Sequence, residues 1–579
     1  MTIGLERGVH GGGSYCARRI GRRGAMALGV LAGAHAAPLA AQAPAAACDG
    51  AATIAMPTGG ADDRARAWRL VDGAPVRLLR GSADPLRESL GGAAVAEGTV
   101  QWRVVRPDVA FVNNSDLPFS LNDGAMWAGR GSSVSVSLGG ALCTRNFGIV
   151  VAPTLWHAQN SDFPLPSDPQ IVPFLPAGGN LWANPFHAYT RSLDNPRRFG
   201  DQALTRVDPG TFLIWARTAS LEFGLTSEPQ WWGPGMRNAL LLSTHAAGVP
   251  RAYVRPVREH DTRVGSFDGQ FFIGGLSRSD FLSDGYPVDT ARTLSGAALT
   301  WRPWFARREL TVGVARLVAA EVSNGWGERL FDVVRSVGRP NARPAGDTVR
   351  TIGPDQLFSV MAHWRLPEDG FELWGEWGRA EQPRNLGDLL SAPNHSQAFT
   401  VGFQFVRPLR AGRALLRVEG EHTQTTQSST YRFRPTGSWY TSRSVSGGFS
   451  QRGQVLGAAV GPGANTQWLA LDVMRRDASV GLFASRIRWD DDSFYTIPRP
   501  LGNGLCKHDT SLLWGVRGGV DRGRWGGLDA SVTMQQRMNV WWQALGFCWQ
   551  NEELQVDARN VTFTLRWRPG AARATGRDR

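Results

Sequence analysis

The sequence predicts an all-β protein: a large transmembrane antiparallel β-barrel with a small, partly helical N-terminal module before it. Three observations predict this. The chain opens on an export signal. No later stretch approaches the ~20 apolar residues that a transmembrane helix requires. Segment after segment alternates apolar and polar residues with period two, and the polar face carries charge.

Residues 1–43 read as the signal peptide. Arg18, Arg19, Arg22 and Arg23 form a basic region ahead of the short apolar run "GAMALGVLAGAHAA" (24–37), and small residues follow it. Cleavage is expected between Ala41 and Ala47, with Pro44 disfavouring the earliest cut. "RRIGRR" fits a twin-arginine signal loosely. "AAAC" before Cys48 lacks the Leu that a lipobox usually carries three residues ahead of its Cys.

Residues 44–98 form the small module. "DDRARAWRLVDG" (62–73) starts on Asp and ends on Gly, as a short capped helix would, and "SADPLRESLGG" (82–92) offers a second. The barrel is expected over 99–568, with a tail over 569–579. In "NVTFTLRW" Val561, Phe563, Leu565 and Trp567 oppose Thr562, Thr564 and Arg566. "SVSVSL" (133–138), "FSVMAHWRL" (358–366), "FELWGEWGR" (371–379), "VGFQFV" (401–406) and "LLRVEGEH" (415–422) follow the same rule. A soluble sandwich would bury one of these faces in a dry core. Arg, Glu and His on the inward face suit a polar barrel lumen instead. Tryptophans near strand ends, in "TWRPWF" (300–305) and "NVWWQ" (539–543), read as interfacial girdles.

The formal charge of +13 does not indicate nucleic-acid binding, since it is spread along the chain and five arginines of the surplus lie in the signal. Lys507 is the single lysine. The exported arginines can still pair with anionic sugars or lipid phosphates. Of five cysteines, Cys16 leaves with the signal, and the other four allow three pairings. No Cys or His spacing suits a metal, and no cofactor motif is present.

Four blocks carry a resemblance: "NDGAMWAGRGSSVSVSLGG" (122–140), "EPQWWGPGMRNALLLSTHAAGVP" (228–250), "FELWGEWGR" (371–379) and "SQRGQVLGAAVGPGAN" (450–465). In this order they resemble the Wzi family of capsule-assembly proteins, and the Trp-Gly-Pro-Gly block is the most specific. The resemblance implies an outer-membrane barrel of about eighteen strands with helices near its periplasmic mouth. It also implies a non-catalytic, lectin-like role: retention of capsular polysaccharide or another exopolysaccharide at the surface of a Gram-negative-type envelope, by a monomer among outer-membrane lipids.

Candidate ligand contacts follow from residue type. Trp231 and Trp232 stand beside a Gly-Pro-Gly turn, with Arg237 and Asn238 as polar neighbours; Asn122, Asp123 and Arg130 bracket Trp127. Such aromatics also serve as girdle or plug packing, and an Asx turn accounts for Asn122 and Asp123 equally well. A porin-like channel is the alternative function and a lumenal glycoside hydrolase a remote one. Along a strand Glu372 and Glu376 lie about 13 Å apart and Glu419 and Glu421 about 7 Å, the second spacing falling within the ~6.5–9.5 Å of an inverting glycosidase. Barrel alternation makes such pairs routinely. "WDDDS" (489–493) has oxygen ligands for calcium but reads as a solvated hairpin loop.

Strand counting back from a periplasmic C-terminus puts Cys506 and Cys548 in neighbouring extracellular loops, which predicts a Cys506–Cys548 disulfide. By elimination Cys48 pairs with Cys143, whose short turn "ALCTRNFG" (141–148) is expected in the periplasm.

Overall fold

The computed structural model describes residues 60–85, 87, 100–163, 192–282, 291–306, 309–322, 329, 331–335, 354–383, 385–409, 412–496, 504–505, 507–523, 526–542, 545–546 and 556–570. The signal region, Cys48, Cys506, Cys548 and most of the tail lie outside them.

The alternating segments form a closed antiparallel barrel of 18 strands. His260–Thr262 continues the strand Arg251–Pro256, both pairing with Gly265–Leu276. Elsewhere each strand pairs with its neighbours in sequence, and the first, Gln101–Asn114, pairs with the last, Ala558–Arg568. Two register shifts fall at prolines, Pro107 between Val105 and Asp108 and Pro153 between Ala152 and Thr154. Proline has no N–H for the ladder, so it is accommodated where pairing lapses.

The period-two faces point as the sequence predicts. Val561, Phe563 and Trp567 are exposed and Thr562 is buried; Val360 and Trp364 are exposed while Ser359, His363 and Arg365 are buried. The strand Asn465–Met474 turns Leu469, Leu471 and Val473 outward against buried Ala470 and Asp472. An apolar exterior around a polar interior is stable only where lipid replaces water outside. This is an outer-membrane barrel.

Its two ends differ. One closes with short turns such as 144–146, 218–220 and 475–477, and there the first strand begins and the last strand ends. In outer-membrane barrels that end faces the periplasm. Trp304, 68 % exposed in "TWRPWF", stands at this rim as a girdle residue should. "NVWWQ" differs: Trp541 and Trp542 are buried in a loop at the opposite mouth, so they are not girdle residues.

The lumen is filled by chain. The helix Gly60–Val71 forms where a helix was expected, and it lies inside the barrel near the short turns. Arg64 reaches Ser479 and Asp529 on the wall, and Arg66 reaches Glu372. The connection 227–250 is buried almost throughout, and so is most of 439–464. Leu79–Gly81, which follows the helix, pairs with Gln230–Trp232 of the 227–250 connection as a small ladder.

Candidate functional site

Why two tryptophans precede Gly-Pro-Gly becomes clear from the wall behind them. Glu421, pointing inward from the strand Ala414–Gln424, accepts the backbone N–H groups of Met236 (2.6 Å), Arg237 (3.1 Å) and Asn238 (2.8 Å) and the Trp374 indole N–H (3.2 Å). Glu376 accepts the N–H of Leu240 at 3.0 Å. Arg66 donates to the Pro234 carbonyl at 2.6 Å. The loop therefore lies flat on carboxylates, which requires close approach: a Cβ on Gly233 (φ +142°) would stand 2.8 Å from the Glu376 carboxylate. Trp231 donates to the Gly235 carbonyl at 3.1 Å, and Trp232 packs edge-on against Phe272 at 5.4 Å between centroids. Both tryptophans are 0 % exposed, so in this arrangement neither offers a ring face to a ligand. They pack the plug.

Behind the loop lies a network of opposite charges. Arg237 contacts Asp63 (2.6 Å) and Glu419 (2.8 Å); Arg417 contacts Glu419 (2.8 Å) and Asp472 (3.1 Å); Arg517 contacts Asp63 and Asp472, each at 2.8 Å. Burial alone would raise the Asp63 carboxyl, but Arg237, Arg517 and Arg417 together hold it below the usual range. Asp63 belongs to the helix, Arg237 to the loop, and the rest to the wall. The network thus fastens two plug segments to the barrel. Removing one partner of such a buried set costs roughly 3–5 kcal/mol, because a charge is left uncompensated.

Between plug and wall is a cavity of about 410 Å³, which brings together four of the residues singled out in the sequence: Asn122, Asp123, Arg237 and Asn238. The Asn122 side chain donates to the Arg237 carbonyl at 3.0 Å, joining two blocks more than a hundred residues apart. Asp123 accepts from Ser120 at 2.8 Å, and burial pushes its carboxyl up to about 6 against that bond and the pull of Arg566. Trp127 and Arg130 stand elsewhere. Trp127 packs on Phe199 (4.9 Å) and lines a separate cavity at the long-loop mouth. Arg130 donates to the carbonyls of Ser115 and Asp162, tying loops together.

Sequence reasoning missed the aromatic of the larger cavity. Trp468 faces inward, stacked on Phe483 (4.6 Å, 16°), with the guanidiniums of Arg237 and Arg517 at 4.9 and 5.4 Å from its ring. Its Nε1–H is buried without a hydrogen-bond partner among the described residues. The signal was available: in "NTQWLALDVM" Trp468 shares the inward parity of Thr466 and Asp472, opposite Leu469, Leu471 and Val473. What the sequence could not supply is Phe483 from the next strand and Arg237 from the plug.

The paired glutamates are engaged. Glu419 is bound by Arg237 and Arg417, Glu421 by three backbone donors, and Glu372 by Arg66 (2.6 Å) and His363 (3.1 Å). "WDDDS" is not a solvated hairpin. Asp491 and Asp492 are each 2 % exposed at the start of the helix Asp491–Thr496. Asp491 contacts Arg488 and His508, each at 2.8 Å. Burial lifts the Asp492 carboxyl to about 8 although it accepts the Gln427 N–H. Among the described residues no His, Cys, Asp or Glu cluster has metal-binding geometry. Cys143 is buried at the end of Gly131–Cys143, beside the short turn 144–146. The loops that carry Cys506 and Cys548 meet in a two-residue ladder, Gly504 with Gly546 and Leu505 with Leu545; the two cysteines themselves fall outside the described residues.

No protein-family model matches this chain, and no curated protein sequence matches it. Solved structures do. The chain is similar to Wzi of Escherichia coli, described as an outer membrane protein involved in group 1 capsule assembly and a carbohydrate-binding β-barrel. The TM-score is 0.50 at 11 % identity, over 80 % of this chain and 85 % of that one. Pseudomonas aeruginosa OccK2, solved with glucuronate, aligns at a TM-score of 0.34 and 10 % identity, over 80 % of this chain and 98 % of its own. A BenF-like porin of Pseudomonas fluorescens aligns at 0.35 and 8 %, over 82 % and 99 %. At these identities the likeness is one of fold.

Proposed function

We propose that this protein binds a surface polysaccharide without catalysis, holding it at a barrel whose lumen is closed by its own chain. One observation carries the reading. The lumenal cavity presents a tryptophan whose buried N–H has no partner among the described residues, flanked by Arg237 and Arg517, while the glutamates in reach are bound to arginines or backbone donors. An indole N–H beside fixed guanidiniums suits a sugar, whose hydroxyl oxygens accept from such donors. A glycosidase needs two carboxyl groups open to the substrate. Glu419 and Glu421 are committed to the plug instead. The Wzi barrel, described as carbohydrate-binding, supports the same reading.

A channel is favoured by one feature: the cavity runs along the wall from Ser479 and Arg568, near the short turns, to Val460 and Leu513. Planar-bilayer recording separates the two. The plugged barrel is expected to show no steady conductance and, on cells, to retain polysaccharide that a deletion strain sheds. Stable ohmic pores with unchanged retention would favour the channel and reject the binding reading.

A further inference from the structure

Loops at the long-loop mouth enclose a second cavity of about 210 Å³, walled by Trp127, Trp489, Trp541 and Trp542. The last two follow the strand Gly526–Met538 on an unusual backbone. Asn539, Trp541 and Trp542 have φ of 52°, 53° and 55°. A left-handed conformation is strained for a non-glycine residue and persists only where its surroundings impose it. Here they do. Asp509 receives the Arg537 fork at 2.8 and 2.6 Å and the Trp541 N–H at 2.9 Å, and Asp557 accepts the Asn539 N–H at 2.9 Å.

Trp541 is thereby fixed beside Phe163 (6.1 Å), with Arg197 and Arg537 5.6 and 5.3 Å from its ring. Trp542 lines the cavity at 2 % exposure, and its Nε1–H is buried with no acceptor among the described residues. A polar group left dry carries a desolvation penalty, which an acceptor from outside the chain would remove. The cavity's charges cancel. Arg197 and Arg537 line it together with Asp490 and Asp509, and burial depresses His245 to about 4, so it is neutral.

We propose that this mouth cavity binds one neutral sugar unit, with a hydroxyl oxygen accepting from Trp542 Nε1 and the pyranose lying against the indole wall. The assignment rests on the polysaccharide reading above and adds a second site to it. Balanced charge gives a uronate carboxylate no net attraction here, because Asp490 and Asp509 offset Arg197 and Arg537. The polar rim decides against a purely apolar guest. The volume, below the ~300–1,000 Å³ of pockets for drug-sized ligands, decides for a single unit.

The test uses the detergent-purified full chain on immobilised hexasaccharides of glucose and of galacturonate, with the heat-modifiable gel shift reporting folding. Wild type is expected to bind the glucose series. Trp542→Phe keeps the ring, removes the donor, and is expected to weaken that binding about 3- to 10-fold, the scale of one hydrogen bond. Trp542→Ala is expected to weaken it further; if it misfolds, the Phe variant decides. Glucose binding unchanged in a folded Trp542→Phe variant overturns the mouth site and leaves the lumenal reading standing. Wild-type binding to galacturonate alone overturns the neutral-sugar assignment. Wild-type binding to neither overturns the mouth site and the polysaccharide reading together.

Discussion

Replacing Glu421 by Ala is expected to free the turn 236–238 from the barrel wall without unfolding the barrel. The carboxylate serves four donors: the N–H groups of Met236, Arg237 and Asn238 and the Trp374 indole. Hydrogen bonds to a charged group contribute about 1.5–3 kcal/mol each. They are not additive here, because the three backbone donors move as one turn and share two oxygens. Taking roughly 3–5 kcal/mol for breaking a buried charged contact, and ~1.4 kcal/mol per tenfold, the turn opens about 10²- to 4 × 10³-fold more often. Larger release is opposed by Trp231, Trp232, Leu240 and Leu241, all of which remain buried. Amide hydrogen exchange reads this directly. A peptide spanning 230–243 is expected to lose protection by that factor, while one spanning 558–568 keeps wild-type exchange. Equal protection of 230–243 in both proteins would refute the idea that wall carboxylates hold the plug.

Other consequences follow from the same geometry. Trp468→Ala is expected to reduce polysaccharide retention by roughly 0.5–1.5 kcal/mol, the scale of one hydrogen bond, in a barrel that still folds; undiminished retention removes Trp468 from the site. The Asp492 carboxyl, lifted to about 8 in the fold by burial, ionises near ~3.9 in an unfolded chain. Its contribution therefore destabilises the fold progressively as pH rises from about 4 to about 8 and levels off above. Asp492→Asn, which mimics the neutral form, is expected to flatten that slope in the gel-shift midpoint; matching slopes would mean that the carboxyl is already ionised in the fold. Non-reducing peptide mapping is expected to return Cys506–Cys548 and Cys48–Cys143 peptides. A bridge across two long loops would stabilise that mouth by about 2–4 kcal/mol, and a Cys48–Cys506 peptide would contradict the strand count.

The sequence by itself determined the barrel. Period-two alternation is a local property, and when Val561, Phe563 and Trp567 oppose Thr562 and Arg566 the strand, its faces and its surroundings follow together. The helix at Gly60–Val71 was legible for the same reason, from its Asp start and Gly end. Only the tertiary structure decided what fills the lumen. A run such as "NVWWQ" reads as a girdle until neighbouring loops fold over it, since burial depends on residues far away in the chain. Glu419 and Glu421 looked like a chemical pair because spacing is visible and partners are not; Arg237 and the turn 236–238 claim them from nearly two hundred residues away. Asn122 and Arg237 were separate candidates that one hydrogen bond joins, and Trp468 gains its two flanking arginines from different elements. Periodicity fixes which way a side chain points in a barrel. What it meets there is set by long-range closure, which no local pattern encodes.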